Sequence, residues 1–262
     1  MIRTLAGSML ALMLAAPPVW ADVTVTAQVT GKGLGKAAES QAVTYIKGLK
    51  MRSDSTMGDG PVSTIMDLEN QKFISINHKK KEATVYSMAD FSQVLQKGTK
   101  GAPPQVSFKP NGQTKDIAGR SCTGYDVVVN MPMALGGDAN MTMVMSGPVF
   151  IAKGAPGSAD YASYYRAAAE RGFVFSDARQ AKAQPQQAQG MAEMYKAIAD
   201  TNGIPFAMEM GMKVDGAGPM AGMMNKVMGG TAFATTVTGV STDSVGADRF
   251  DVPAGYAVKD GK

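Results

Sequence analysis

The methionines are the residues of this chain whose spacing could support an unusual site. The 262-residue chain contains 21 methionines, and two segments each place three of them at alternate positions. Thioether sulfur is a soft ligand that Cu(I) prefers, while the unbranched methionine side chain also repacks around varied apolar ligands. Ordinary core packing is the third interpretation. The two sets are Met141, Met143 and Met145, and Met208, Met210 and Met212.

Histidine and cysteine are too scarce for most other site chemistry. His78 is the only histidine and falls in a predicted turn, which excludes sites built from several imidazoles. Cys122 is the only cysteine, so no internal disulfide can form, and nothing beside it in sequence favours a reactive thiolate. We expect His78 to be solvated and Cys122 to be a small buried side chain. We therefore expect a protein that is not an enzyme and needs no cofactor.

Nucleotides and nucleic acids are poor candidate ligands. The glycine-rich segment 31–36 lacks two features of a P-loop, because Thr30 stands where glycine is needed and Ala37 where serine or threonine is needed. The formal net charge is +4, and the cations are scattered along the chain without interleaved aromatic residues. This pattern does not predict a nucleic-acid interface.

The N-terminus has the three-part pattern of a secretory signal peptide. Arg3 precedes an apolar run over residues 5–16, and two prolines then precede small residues up to Ala21. We predict cleavage after Ala21 and a periplasmic mature chain. The apolar run and every later segment are shorter than the roughly 20 apolar residues that a membrane-spanning helix needs. The sequence therefore predicts no transmembrane segment in the mature chain.

Alternation of apolar and polar residues predicts a largely antiparallel sheet. The clearest case is the segment 206–214, in which Phe206, Met208, Met210, Met212 and Val214 share one face. Turns are predicted at Asn70 and over residues 78–81. The predicted strands cover residues 23–29, 42–51, 62–68, 72–76, 83–86, 105–109, 121–130, 141–145, 149–151, 206–214 and 231–241.

Helical spacing interrupts the strands at three places after residue 150. Two helices are predicted over residues 158–171 and 189–200, joined by a polar linker over 181–189, and a short third helix is predicted within 216–230. A short helix is also predicted over residues 88–96. The residues sharing one helical face are Tyr161, Tyr164, Tyr165 and Ala168 in the first helix, and Met191, Met194, Tyr195 and Ile198 in the second. Together these elements predict a single α+β domain over residues 22–262 with a helical insert at about 158–201.

Four segments, residues 44–52, 65–86, 117–129 and 250–256, resemble an exported bacterial family of unknown function that is similar in fold to the LolA and LolB lipoprotein carriers. This resemblance implies an incomplete antiparallel β-barrel whose concave face is covered by helices. In the carriers, an apolar cavity beneath the helices accepts acyl chains. An arginine on an early strand fastens their lid, and the nearest positions here are Lys47 and Arg52.

These observations predict a monomeric binding protein with a hydrophobic ligand, a lipid or acyl chain, beneath its helices. An envelope protein is a further candidate partner. One alternative is a methionine-rich Cu(I)-binding periplasmic protein, and the other is an envelope structural or interaction domain without a small ligand. The predicted ligand-binding residues are Met141, Met143, Met145, Tyr161, Tyr165, Met191, Met194, Tyr195, Phe206, Met208, Met210 and Met212.

Overall fold

The described residues form one large sheet and three α-helices whose first and last residues are both defined. The structure, a computed structural model, describes residues 22–32, 38–57, 60–89, 102–134, 140–173, 185–216, 219–228 and 230–261. The strands are β1 (Val23–Lys32), β2 (Ala38–Lys47), β3 (Lys50–Met57), β4 (Gly60–Asp67), β5 (Lys72–Asn77), β6 (Glu82–Ser87), β7 (Gln105–Ile117), β8 (Arg120–Ala134), β9 (Asn140–Lys153), β10 (Gly203–Asp215), β11 (Ala232–Ser241) and β12 (Ala257–Asp260). The helices are α1 (Ser158–Glu170), α2 (Pro185–Ala199) and α3 (Pro219–Met228).

The sheet is open and mixed. The order is β12-β6-β5-β4-β3-β2-β1-β11-β10-β9-β8-β7, so β1 and β11 join the two halves of the chain. The pairings are antiparallel except for β12, which is parallel to β6. The predicted α+β class is confirmed. The predicted incomplete barrel was expected to be antiparallel throughout, and β12 corrects this by making the sheet mixed. The sheet is not closed into a barrel, and its edges are β12 and β7.

Local predictions differ from the structure mainly at turns. The predicted strand over 42–51 is wrong, since the chain turns at Gly48 and divides it into β2 and β3. Gly48 has a φ of 55°, a conformation that glycine adopts without a Cβ penalty. The two short strands predicted over 141–151 are one strand, β9. In the predicted linker over 181–189, residues 185–189 are already helical. Proline is accepted at the first position of that helix because its missing N–H would have no intrahelical partner.

Two predictions fall wholly or mostly outside the described residues. The signal peptide, residues 1–21, lies outside them, and of the helix predicted over 88–96 only Met88 and Ala89 are described and helical. None of the helices in the described ranges has the length and hydrophobicity that crossing a bilayer requires.

Helices α1 and α2 pack against each other and against one face of the sheet. α2 contacts β7, β8 and β10, and α1 contacts β10 and β2. The close approach of α2 depends on Gly190, where a Cβ would lie 3.0 Å from side-chain atoms of Met131 and Val129. The helices are also joined at the end of α2, where Arg166 of α1 donates a 3.0 Å hydrogen bond to the Ala199 carbonyl. That bond satisfies one of the carbonyls left free at a helix C-terminus.

The C-terminal segment, residues 242–256, covers the opposite face of β2–β6. Val245 and Phe250 are buried there against Ile65, Ile76 and Ala83. The segment is also tied to the start of β1, because the Asp22 carboxylate accepts hydrogen bonds from the Val245 N–H and from Lys47 Nζ, both at 2.7 Å. Lys47 therefore fastens a C-terminal segment and lies on the face away from α1 and α2.

Arg52 is buried on the same outer face, and each of its three side-chain nitrogens donates a hydrogen bond. Its side chain, 10% exposed, forms an ion pair with Asp54 at 2.6 Å and donates to the Arg249 carbonyl and to Ser63 Oγ, each at 2.9 Å. Odd-numbered residues of β3, such as Met51, face the helices instead. Arg52 therefore fastens the C-terminal segment, and the helix-lid role that the resemblance implies for Arg52 does not fit this orientation.

His78 joins this network, which corrects the expectation that it is solvated. Ser63 Oγ donates to Asp54 at 2.6 Å and lies 2.6 Å from His78 Nε2, while His78 Nδ1 lies 2.9 Å from the Tyr256 hydroxyl. Because Ser63 gives its only proton to Asp54, a neutral His78 donates from Nε2 to Ser63 and accepts from Tyr256 at Nδ1. His78 thus links β5 to the C-terminal segment.

We expect Arg52→Ala to lower the free energy of unfolding by about 3–5 kcal/mol, because it leaves the Asp54 carboxylate and the Arg249 carbonyl without their buried partner. Urea unfolding monitored by circular dichroism measures this change. Lys213→Ala is the control, since Lys213 and Asp215 form an exposed ion pair on β10 and such pairs contribute little. Equal unfolding free energies for the two variants would contradict the structural role of Arg52.

Candidate ligand cavity

A cavity of about 280 Å³ lies between the helix pair and strands β2–β4. Its volume is just below the roughly 300–1,000 Å³ typical of small-molecule sites. Helix α1 and the residues after it form one wall, α2 forms another, and the sheet forms the floor. The lining residues are Thr44, Met51, Ser53, Thr64, Met66, Tyr164, Tyr165, Ala168, Phe173, Met191 and Tyr195.

The floor of the cavity lies on the boundary between an apolar and a hydroxyl-bearing row of side chains. Met51 lies opposite Met66, and Ser53 lies opposite Thr64, in the β3–β4 register. Residues paired in this way share a face, as do residues two apart in one strand. The apolar row is Ile46, Met51, Met66, Phe73 and Tyr86, and the hydroxyl row is Thr44, Ser53, Thr64, Ser75 and Thr84.

The two rows differ in burial as well as in chemistry. Ile46, Met66 and Phe73 are each 1–2% exposed, whereas Thr44, Ser53 and Thr64 are half-buried and Ser75 is exposed. The apolar row packs into the core beneath α1. The hydroxyl row begins inside the cavity and continues along the sheet to a solvent-exposed position.

Tyrosine rings form the helical wall. Tyr165 stacks on Tyr195 with ring centroids 4.9 Å apart and contacts Tyr161 at 4.5 Å. The Tyr161 hydroxyl donates to the Tyr165 oxygen, and the Tyr165 hydroxyl donates to Met51 Sδ at 3.5 Å. Thioether sulfur is a weak acceptor. The Tyr165 hydroxyl therefore makes only a weak hydrogen bond at the cavity floor.

Tyr164 lies between the cavity and the core, and its hydroxyl has no hydrogen-bond partner although it is buried. The residue is 0% exposed. Burial raises the pKa of Tyr164 well above its ordinary value and also raises the pKa of Tyr165 and of Tyr195. These tyrosines therefore remain neutral hydrogen-bond donors throughout the physiological pH range.

The lining contains no charged side chain. Arg52 lies between Met51 and Ser53 in sequence, but it points to the opposite face and binds Asp54 there. Across the described residues, no group of three or more histidine, cysteine, aspartate or glutamate side chains is placed to hold a metal ion. The cavity thus offers apolar contact and neutral hydroxyl groups.

The structure brings three of the predicted ligand-binding residues to this cavity, namely Tyr165, Met191 and Tyr195. The others lie in packed clusters. Met143, Met145, Met194, Met208 and Met210 are buried together in the β8–β10 cluster under α2, and Met212 lies at its border. Met141 is buried beneath α3 with Val214 and Ala221, while Tyr161 and Phe206 are buried in the core cluster shared by α1 and β1.

The methionines of β9 and β10 lie on the face of the sheet that α2 covers. β8–β10 lie under α2, which packs closely through Gly190, so their side chains fill the core there. The thioethers of Met208 and Met210, 5% and 1% exposed, are among these packed side chains. Binding of Cu(I) to this set stays a prediction that the structure does not test.

The hydroxyl row was not predicted from the sequence, although the sequence carries a signal for it. Each of the strands β2–β6 contains an apolar residue and a hydroxyl residue two positions apart. Because β2–β6 is a meander of hairpins, these pairs align once the register is known. The five pairs are Thr44 with Ile46, Met51 with Ser53, Thr64 with Met66, Phe73 with Ser75, and Thr84 with Tyr86.

The Ser63–His78 contact resembles that of a serine nucleophile with its base, but its surroundings are unlike a catalytic triad. In a triad the carboxylate orients the histidine, whereas here Asp54 accepts from Ser63, and His78 Nδ1 meets Tyr256. Ser63 is 1% exposed beneath the C-terminal segment. The contact therefore serves to hold that segment.

A second depression, of about 570 Å³, involves the end of β1, the starts of β2 and β11, and the middle of β9 and β10. Its lining includes exposed charged side chains such as Lys32, Glu39 and Glu209, apolar residues such as Phe233, and the backbone around Gly147. A Cβ at Gly147 would overlap the Glu209 carbonyl, so the strands approach closely at this point. This surface has fewer apolar side chains than the cavity beneath α1 and α2.

Comparisons with known proteins identify no family. No family model and no curated protein sequence matches the chain. An uncharacterized conserved protein from Thermus thermophilus is similar in structure, with a TM-score of 0.43 and 8% identity, over 92% of this chain and 91% of that chain. A "putative outer membrane lipoprotein-sorting protein domain" from Vibrio parahaemolyticus is similar with a TM-score of 0.35 and 7% identity, over 89% of this chain and 91% of that chain. At these scores neither likeness carries an argument about fold or function.

We expect Tyr164→Phe to leave the free energy of unfolding unchanged or to raise it, since the variant removes a buried hydroxyl that has no partner. Tyr161→Phe is the matched change on the same helix. It removes the donor to Tyr165 and should lower the free energy of unfolding by about 1 kcal/mol. Urea unfolding of both variants measures the difference, and a larger loss for Tyr164→Phe would show that its hydroxyl has a partner in solution.

Proposed function

We propose that this chain is a periplasmic binding protein, without catalytic activity, for a lipid or another ligand with an acyl or alkyl chain. The supporting observation is the cavity beneath α1 and α2, whose lining includes Met51, Met66 and Met191. Its apolar walls are formed by methionine, tyrosine and phenylalanine side chains, which give contact area without selecting one apolar shape. The apolar N-terminal sequence, read as a signal peptide, supports export to the periplasm.

The driving force for such binding is burial of the alkyl chain. Each buried CH₂ group contributes about 0.8 kcal/mol, and the flexible side chains of Met51, Met66 and Met191 can adjust to the chain. The small volume favours binding of one alkyl chain per protein molecule. Ligand sites at the upper end of the usual range are larger, at roughly 1,000 Å³. We expect binding to tolerate changes in chain length and unsaturation.

The methionine methyl groups provide a direct test. In protein labelled with ¹³C at methionine methyl groups, decanol should shift the NMR signals of Met51, Met66 and Met191, which line the cavity. The signals of Met208 and Met210, packed in the β8–β10 cluster, are internal controls. Single Met→Leu variants assign the signals, because this swap conserves volume. The absence of any shift, or shifts centred on Met208 and Met210, would contradict the proposed site.

A variant that fills the cavity tests whether binding needs its volume. Ala168 of α1 lines the cavity and is 1% exposed, so Ala168→Leu should place extra atoms in it. We expect decanol binding to fall at least tenfold, with the circular dichroism spectrum retained despite an overpacking cost of about 1–3 kcal/mol. Met208→Leu is the control and should bind decanol as the parent protein does. Undiminished binding by a folded Ala168→Leu variant would place the ligand elsewhere.

A further inference from the structure

We infer that the ligand is an uncharged amphiphile whose oxygen-bearing head group lies on the hydroxyl row formed by Thr44, Ser53 and Thr64. This inference rests on the proposed function and specifies its ligand class. Its first support is the register of the sheet, in which each hydroxyl residue lies directly opposite the next. Neighbouring strands are about 4.8 Å apart, so an oxygen atom between two strands can reach hydroxyl groups on both.

The boundary between the two rows matches the two parts of such a molecule. An alkyl chain along Met51 and Met66 buries apolar surface, while a hydroxyl or ester group two positions away meets side chains that both donate and accept hydrogen bonds. The row continues from Thr64 to Ser75, which is exposed. The head group therefore lies at Ser53 and Thr64, on the side of the cavity from which the row continues to solvent.

The wall above the floor supplies an additional donor. The Tyr165 hydroxyl donates to Met51 Sδ at 3.5 Å, and both residues line the cavity. Oxygen is a stronger hydrogen-bond acceptor than thioether sulfur. A ligand oxygen near Met51 would replace the sulfur as the acceptor. The Tyr165 hydroxyl would then make a stronger hydrogen bond in the occupied cavity than in the empty one.

The charge of the lining selects against ionised head groups. A carboxylate buried without a counter-ion loses its hydration and gains no ion pair. The two cations adjacent to Met51 in sequence are already paired, Arg52 with Asp54 on the other face and Lys50 with Asp67. The lining also contains no acidic group that could pair with an ammonium head. Neutral alcohols and esters are therefore favoured over both anions and cations of equal chain length.

A series of ligands that differ only in head group tests this selectivity. Isothermal titration and methionine-methyl NMR would be carried out with decanol, decanoate and decyltrimethylammonium, each below its aggregation concentration. We expect decanol to bind at least tenfold more tightly than either charged compound at neutral pH. Equal or tighter binding of decanoate or of decyltrimethylammonium would overturn the inference. Failure of all three compounds to shift Met51, Met66 and Met191 would instead contradict the proposed function.

A variant of the row tests where the head group lies. Thr64→Val removes a hydroxyl in the centre of the row and should weaken decanol binding about five- to tenfold, the effect of losing one hydrogen bond. Binding of decyl chloride, which has no hydroxyl group, should be unchanged by the same variant. Thr236→Val, on an exposed position of β11, is the control and should alter neither. Equal losses for decanol and decyl chloride would show that Thr64 acts through packing and would overturn its role as a head-group ligand.

Discussion

The width of the sheet relative to its helices is the constraint on which the rest of this structure depends. Twelve strands spaced about 4.8 Å apart span roughly 50 Å across the sheet, whereas an α-helix with its side chains is about 10–12 Å wide. Helices α1 and α2 therefore cover only part of the sheet, chiefly β2, β7, β8 and β10. Over β8–β10, where Gly190 permits close contact, the interior is packed. Over β2–β4, at the border of the helix cover, the interior opens into the cavity.

The opposite face of β2–β6 is covered in another way, by a C-terminal segment held through polar contacts. Val245 and Phe250 supply apolar cover, and Arg52 holds the backbone of Arg249. A buried guanidinium needs an ion pair and hydrogen bonds to offset its lost hydration, and Arg52 has one ion pair and two further hydrogen bonds. Because Arg52 alternates with Met51 and Ser53 along β3, one strand anchors the segment on one side and forms the cavity floor on the other.

Much of the fold was predictable from local pattern because alternation of polarity directly reports a two-sided strand. β10 and the tyrosine face of α1 are examples. The division of residues 42–51 into two strands was missed because the turn has only two residues, Gly48 and Leu49, between two strand-like segments. The parallel addition of β12 depends on pairing that local pattern does not encode. The cavity was harder to predict, since its floor arises from register across three strands, β2–β4. No single strand shows that Ser53 lies between Thr44 and Thr64.

The methionines and the hydroxyl residues therefore differ in how well they indicate a ligand site. Methionine is adaptable both as core and as cavity lining, so its abundance cannot distinguish the packed set under α2 from Met51, Met66 and Met191. A hydroxyl residue is more informative, because burying it without a hydrogen bond is unfavourable. Thr44, Ser53 and Thr64 lie half-buried beside a fully apolar row. On successive strands, the apolar row and the hydroxyl row lie side by side. This boundary is the feature of the sheet that best matches an amphiphilic ligand.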